Sequence, residues 1–393
     1  MRPIKKILCG TVFSAVTALS VFSAHADEIK VGLISQFSGQ YAWWGTEYRR
    51  GIELALDSIG GKIDGNTIKI IERDVGGITP PRSKQLAQEL VVRDQVQYLI
   101  GGVFSPTVMA TAPVINEAKV PFVVFNTGAG DLTKASKYFV RVGVSQWTLN
   151  IPVGKWAYEQ GGRKAAILVA DYAPGQDGAE AFRKGFEDAG GAIIGDIRVP
   201  VGTLDFSSYI QKLRDLKPQY VFIFMPVGPM TVAMVKAMVG SQIEKEGIVP
   251  VYTTEMQDND LPTLGDSALG ALSFFHYSPY LDNPQNKVFV KAWKDKFGKD
   301  EVPGMGGISS YDGMHALFAM IKATNGKYEP DKAMAAVKGL KWDSPRGPIS
   351  IGDDREIVQN MYLRKVERMP DGKLGNQTQK TFSAIGGPGY KLP

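Results

Sequence analysis

The stretch VQYLIGGVFSPTVMATAPVINEAKVPFVVFNTGAGDLT, residues 96–133, reads as strand, tight turn, helix, strand and glycine-rich turn. Val96 to Ile100 is a short apolar run with β-branched residues, and Gly101-Gly102 follows it. Ser105-Pro106 opens a segment whose apolar residues, Val108, Met109, Ala112, Val114 and Ile115, recur periodically. Serine is a favoured N-cap and proline is tolerated at the first helical position, so a helix is expected to start here with Ser105 as its cap. Pro121 to Phe125 is a second buried-strand run, and it ends in Asn126-Thr127-Gly128-Ala129-Gly130.

A helix N-terminus carries unpaired N–H groups and the positive end of a dipole, which suits a carboxylate or phosphate. Two strand-to-helix turns side by side would make a small anion cradle at the carboxyl ends of a parallel sheet, where open α/β folds bind ligands. Two readings of Ser105 stand at this point. It caps its helix and nothing more, or it also touches a ligand.

Outward from this stretch, strand and helix alternate along the chain. Strands are expected at 29–35, 67–73, 138–142, 164–170, 192–199, 220–225, 248–254 and 271–277, near Ile349, and at 361–366. Helices are expected at 45–58, 80–93, 146–160, 176–189, 206–216, 230–239, 284–297, 309–324 and 330–338. This alternation argues for an α/β fold of parallel sheets covered by helices on both faces, with right-handed crossovers. The strands are too many for one comfortable sheet, so two lobes are expected.

The first 26 residues stand apart from the fold. Arg2, Lys5 and Lys6 precede an apolar stretch from Ile7 to Val21, and Ala24-His25-Ala26 gives a small-residue cleavage site. Export with cleavage after Ala26 follows. The one cysteine, Cys9, lies in that segment, so the mature chain has neither disulfides nor thiol chemistry. Cleavage removes three basic residues and no acidic ones, lowering the net charge from +5 to +2. That charge gives no reason to expect nucleic acid as a partner.

The mature chain carries no recognisable catalytic constellation. His276 and His315 are its only histidines, and no cysteine or obvious acidic cluster accompanies them. There is no P-loop, no strand-flanked G-x-G-x-x-G and no G-x-S-x-G elbow. Asp353-Asp354 falls in an expected turn, where aspartate serves the backbone. Aromatic residues, by contrast, stand beside the turns: Tyr41, Trp43, Trp44, Phe104, Trp147 and Tyr172. Aromatic walls with a few polar groups make a small-molecule cleft. No enzyme, metal or cofactor is expected.

The ordered series IKVGLISQFSGQYAWWG (29–45), YRRGIELALDSIGG (48–61), IERDVGG (71–77), YLIGGVFSPT (98–107), VPFVVFNTGAGDLT (120–133), AILVADYAPGQDGAEAF (166–182) and DFSSYIQKLRDLKPQYVFIF (205–224) resembles the leucine/isoleucine/valine-binding family of periplasmic solute receptors for ABC importers. The resemblance covers nearly everything after Ala26. It implies two Rossmann-like lobes joined by a three-strand hinge, with ligand held between them by closure. The first lobe would be 27–144 plus 278–348 and the second 145–277 plus 349–393, with crossovers near Val144, Tyr277 and Pro348.

The resemblance also implies site roles. Trp44 matches an aromatic wall residue. Ser105, Asn126 and Gly128 match carboxylate-holding positions; the family's usual hydroxyl residue is replaced by Gly128, and Thr127 is the adjacent substitute. Tyr172 matches the second-lobe aromatic that closes on the ligand. Glu255 matches the acidic partner of an amino-acid ammonium. The implied protein is a periplasmic monomer working with ABC permease and ATPase subunits. A hydrophobic amino acid is the favoured ligand and an aromatic carboxylate the alternative; an exported sensor protein or hydrolase is the less favoured reading. FNTGAG and the PGQDG after Tyr172 depart from the amino-acid receptors toward the aromatic-carboxylate ones, while Glu255 pulls the other way.

Overall fold

The computed structural model describes residues 28–386. The expected signal peptide, 1–26, lies outside them, as do residues 387–393 of the expected second lobe.

Six strands form the first sheet: β1 (Glu28–Ser35), β2 (Lys62–Ile63), β3 (Asn66–Asp74), β4 (Tyr98–Gly101), β5 (Phe122–Val124) and β6 (Phe139–Arg141). Their spatial order is β2-β3-β1-β4-β5-β6, and every pairing is parallel except the short β2–β3 hairpin. A parallel strand covered on both faces must be apolar at nearly every position. β1, β4 and β5 meet that demand: Val31 to Ser35 and all of β4 and β5 are buried. The helices Ala42–Ser58 and Met305–Thr324 pack against each other over this sheet.

The second sheet holds β7 (Lys164–Ala170), β8 (Ala192–Val199), β9 (Tyr220–Phe224), β10 (Val249–Tyr252), β11 (Leu272–Phe275), β12 (Lys341–Ser344), β13 (Gly347–Ile351), β14 (Ile357–Arg368) and β15 (Leu374–Ile385). The order is β12-β13-β14-β11-β10-β9-β7-β8, with β15 along β14. The β7 to β11 block is parallel, and β14 joins it antiparallel. Two α/β lobes result, as expected.

Three local departures have physical causes. The helix expected after Ser105 comes in two pieces, Ser105–Met109 and Ala112–Ala118. Pro113 has no N–H to donate, and its ring crowds the carbonyl four residues back, so the helix restarts there. β15 was not expected because its sequence, LGNQTQKTFSAI, is polar and half-exposed; it is held by a long ladder to β14 rather than by an apolar face. Residues 352–356 fall in the stretch assigned from sequence to the second lobe, yet they lie against the first sheet. There the Arg141 N–H donates to the Arg355 carbonyl at 3.0 Å. Arg355 in turn donates to the carbonyls of Thr133 at 2.7 Å and Lys137 at 2.9 Å.

Buried arginines mark the places where the chain leaves one sheet for the other. Arg346 pairs with Asp312 at 2.8 Å and donates to the Val142 carbonyl at 2.7 Å. Arg364 donates to the carbonyls of Tyr277 at 2.7 Å and Met256 at 3.0 Å, with Asp258 3.7 Å away. Arg141 pairs with Glu356 at 2.7 Å. Each guanidinium is desolvated, and carbonyl and carboxylate acceptors offset most of that cost, although Arg346 Nη1 and Arg364 Nε are buried without a hydrogen-bond partner.

Candidate functional site

A cleft between the two sheets contains about 460 Å³ of empty space, part of it open to solvent. Its wall is made at the carboxyl ends of the parallel strands. The turn after β4 gives Val103, Phe104 and Ser105, and the turn after β5 gives Asn126 and Gly128. Across the cleft, the turn after β7 gives Tyr172 and Pro174, the end of β9 gives Phe224, Pro226 and Val227, and the turn after β10 gives Thr254. Trp44, Val144, Gln146 and Met305 complete it. None of these side chains is charged.

The β4 turn depends on glycine. Gly101 has φ +104, and a Cβ there would lie 2.4 Å from the Ile34 carbonyl oxygen. No L side chain fits both restrictions. The turn swings Phe104 and Ser105 into the cleft, and the Tyr48 hydroxyl and the Asn126 N–H donate to the Gly102 carbonyl at 2.7 and 3.2 Å.

Ser105 does not cap its helix, contrary to expectation. Phe104 occupies the cap position and Ser105 is the first helical residue. The Ser105 hydroxyl instead accepts the Ala129 N–H at 3.1 Å, tying the two turns together and leaving its own proton free to donate. Asn126 donates to the Val103 carbonyl at 2.9 Å. Thr127 is wholly buried, and its hydroxyl points away from the cleft with no protein partner, so it does not substitute for a hydroxyl at Gly128. Beneath the loop, Arg141 donates to the carbonyls of Thr127 at 2.8 Å and Ala129 at 2.6 Å, holding it from behind.

Trp44 lies on the helix Ala42–Ser58, stacked on Trp43 at 4.4 Å and edge-on to Tyr48 at 5.7 Å. It is both cleft wall and core. One turn on, the Glu47 carboxylate accepts the N–H groups of Gly304 and Gly307, each at 2.9 Å, at the start of the helix Met305–Thr324. Burial pushes the Glu47 carboxyl up to about 7. This clamp sets Met305 beside Trp44.

On the opposite wall Tyr172 is half-buried and stacks with Phe224, ring centroids 6.1 Å apart. Burial holds the Tyr172 hydroxyl well above its ordinary value, with the Glu255 carboxylate adding to the effect. The phenol is neutral and able to donate.

Glu255 stands apart from the other expected site residues. It is wholly buried and does not line the cleft; its neighbour Thr254 does. Its carboxylate accepts the N–H groups of Met225 and Thr253, each at 2.7 Å, and the Thr253 and Thr254 hydroxyls at 3.2 and 3.4 Å. Burial pushes it up to about 7, against the pull of those N–H groups. It joins the turns after β9 and β10 and has little capacity left for a ligand amine.

Sequence reasoning missed Gln146, Pro174, Phe224, Pro226, Val227, Thr254 and Met305. Phe224, Pro226, Val227 and Thr254 sit at a strand end or within three residues of one, a signal that was available for every strand.

The two walls touch. The Gln146 N–H donates to the Gly128 carbonyl at 2.9 Å, and the Gly130 N–H donates to Asp177 at 2.8 Å. The Gln257 amide reaches the Met305 sulfur at 2.7 Å. Among the described residues no cluster of His, Cys, Asp and Glu could hold a metal ion, and no helix is long and apolar enough to cross a membrane.

The model of the periplasmic binding protein family matches residues 28–373. The chain belongs to this family. This periplasmic binding protein is 41% identical, over 96% of its length and 98% of the relative's, to Leu/Ile/Val-binding protein homolog 6 of Brucella melitensis. The resemblance read from the ordered motifs is therefore borne out. Among solved structures it is similar to a solute binding protein of an ABC transporter from Rhodopseudomonas palustris in complex with p-hydroxybenzoic acid. The identity is 42%, the TM-score 0.88, and the match covers 91% of this chain and 98% of that one. A second R. palustris solute binding protein, in complex with 3,4-dihydroxybenzoic acid, matches at 38% identity and TM-score 0.86, covering 92% of this chain and 99% of that one.

Proposed function

We propose that this periplasmic binding protein is the solute receptor of an ABC importer and that its ligand is a small aromatic carboxylate, the alternative weighed from the sequence. The observation that carries the reading is the state of Glu255. An amino acid brings an ammonium into the cleft, and a buried ammonium without a partner is strongly penalised. No side chain lining the cleft is charged, and the Glu255 carboxylate is committed to Met225, Thr253 and Thr254.

A flat ring fits between Trp44 and Met305 on one side and Tyr172, Phe224, Pro226 and Val227 on the other. The ring's carboxylate meets neutral donors near Ser105, Asn126 and Gly128. The hydroxybenzoate-bound relatives support this ligand class. The name of the Brucella relative is the support for a branched-chain amino acid.

In this reading the protein performs no chemistry. It resides in the periplasm after cleavage behind Ala26, acts as a monomer and delivers ligand to separate permease and ATPase chains. The lobes, about 27–144 plus 278–348 and 145–277 plus 349–393, close by hinge motion about the crossovers near Val144, Tyr277 and Pro348, and ligand favours the closed state.

Calorimetric titration of ligand-free mature protein with benzoate, 4-hydroxybenzoate, phenylalanine and leucine tests this. Binding of the aromatic acids with no heat from the amino acids is expected. Binding of leucine or phenylalanine alone refutes the ligand class and restores an amine-binding role to the cleft.

A further inference from the structure

We infer that Gln146 is a specificity-determining residue that donates its side-chain amide to the ligand carboxylate from the second lobe, opposite Ser105 on the first. This rests on the proposal that the ligand is a carboxylate.

Gln146 is 3% exposed, and it lines the cleft. It is the first residue of the helix Gln146–Glu159, which Ser145 caps by accepting the Thr148 N–H. Its backbone N–H is already used, donating to the Gly128 carbonyl at 2.9 Å. Its side-chain oxygen is also used, accepting from the Asn150 amide at 2.7 Å one helical turn on. That bond turns the amide so that Nε2 stands toward Gly128, and Nε2 has no acceptor in the protein. At the wall of the cleft, an amide donor that no protein acceptor uses is available to an acceptor on the ligand.

The place of Nε2 is defined by what Gly128 lacks. A Cβ on Gly128 would lie 3.2 Å from Gln146 Nε2, 3.1 Å from its Cγ and 3.0 Å from the Pro174 Cβ. The glutamine amide thus occupies the space that a side chain at position 128 would fill, within the same loop as Asn126 and the Ser105-bound Ala129. A neutral N–H donor is delivered there from across the cleft. With Ser105 donating from one lobe and Gln146 from the other, the carboxylate spans both, and opening the cleft must break one of the two contacts. Ligand binding and closure are coupled through this side chain.

Titration calorimetry with 4-hydroxybenzoate and denaturant unfolding of ligand-free protein test the assignment on the mature chain. Gln146→Met keeps the length and removes the donor. It is expected to raise Kd at least tenfold, and also to lower the ligand-free unfolding midpoint, because the buried Asn150 amide loses its acceptor. Because Asn150 loses its partner in that variant, a second comparison uses position 128. Gln146→Ala alone is expected to bind weakly, and adding Gly128→Ser, which puts a hydroxyl into the vacated space, is expected to regain at least fivefold in affinity. A purely structural role for Gln146 predicts no such rescue. If wild-type protein binds 4-hydroxybenzoate and Gln146→Met binds it within twofold as tightly, or the double variant is no tighter than Gln146→Ala, the donor role is wrong and the ligand class stands. If wild-type protein binds no aromatic acid, the ligand class falls, and the donor role falls with it.

Discussion

Replacing Ser105 by alanine separates two effects whose sizes follow from its geometry. The hydroxyl accepts the Ala129 N–H at 3.1 Å and has its own proton available to the cleft. Ala129 is 3% exposed, so losing the acceptor leaves a buried N–H unpaired. That costs folding stability about 1–3 kcal/mol. The lost bond to a ligand carboxylate is a bond to a charged group, worth about 1.5–3 kcal/mol, or roughly a 10- to 150-fold rise in Kd. The two effects are read by different assays: calorimetric titration with 4-hydroxybenzoate for affinity, and urea unfolding of ligand-free protein for stability. Both should move. A lower urea midpoint with Kd unchanged within twofold would refute the ligand contact and reduce Ser105 to a tie between the β4 and β5 turns. A changed Kd with no change in stability would instead refute the importance of the Ala129 bond.

Trp44→Ala should cost about 3–5 kcal/mol of stability as well as affinity, because the ring is core and wall at once; Trp44→Phe should keep most of the stability and still weaken binding, and an unaltered Kd in Trp44→Phe would remove the indole from the site. Glu255→Gln places an NH₂ group against one of the Met225 and Thr253 N–H donors, which use different oxygens, so a loss of about 1–3 kcal/mol in unfolding free energy is expected. A selective loss of amino-acid binding in that variant, with stability intact, would overturn the account of Glu255. Glu47 is raised by burial from 4.5 to about 7 in the folded chain. Between those values the folded state holds a proton that the unfolded state has released. Its stability contribution is therefore greatest below about 4.5 and declines as pH rises through about 7, by up to about 3 kcal/mol. Glu47→Gln mimics the protonated form, so its stability relative to wild type should climb between pH 5 and pH 8; a flat difference in urea midpoints would contradict the shift.

The alternation of strand and helix was legible because parallel strands covered on both faces must be apolar runs, as β1, β4 and β7 are. β15 escaped notice for the converse reason. An edge strand held by its ladder to β14 can be polar, and its composition then looks like a loop. Pro113 was in plain view in the sequence, yet the periodic apolar residues around it masked the break it imposes. In the site, Trp44, Ser105, Asn126, Gly128 and Tyr172 all line the cleft. Thr127 does not, and the period-two alternation of an extended chain places it on the opposite side from Asn126 and Gly128. Glu255 was in the right loop, but sequence says nothing about which way a buried carboxylate turns. Its direction was decided by two backbone N–H groups, of Met225 and Thr253, in turns after successive strands. Gln146 and Asn150 stand four apart on one helix face, a spacing that signals a side-chain pair, but which end of the glutamine would remain free depends on contacts made across the cleft.

The arginines at the crossings bear on what kind of movement the molecule permits. Arg346 grips the Val142 carbonyl and Arg364 grips that of Tyr277, each anchored to a carboxylate belonging to the fold around it. They act as pins through the connecting segments. A swivel about the pins changes a few backbone torsions and keeps every one of these bonds. A sideways slide of one lobe over the other would pull a guanidinium off its carbonyl and strand a positive charge away from water. In the proposed hinge motion the molecule is a two-leaf device with a fixed axle, whose leaves open to exchange cargo and return to the same register each time.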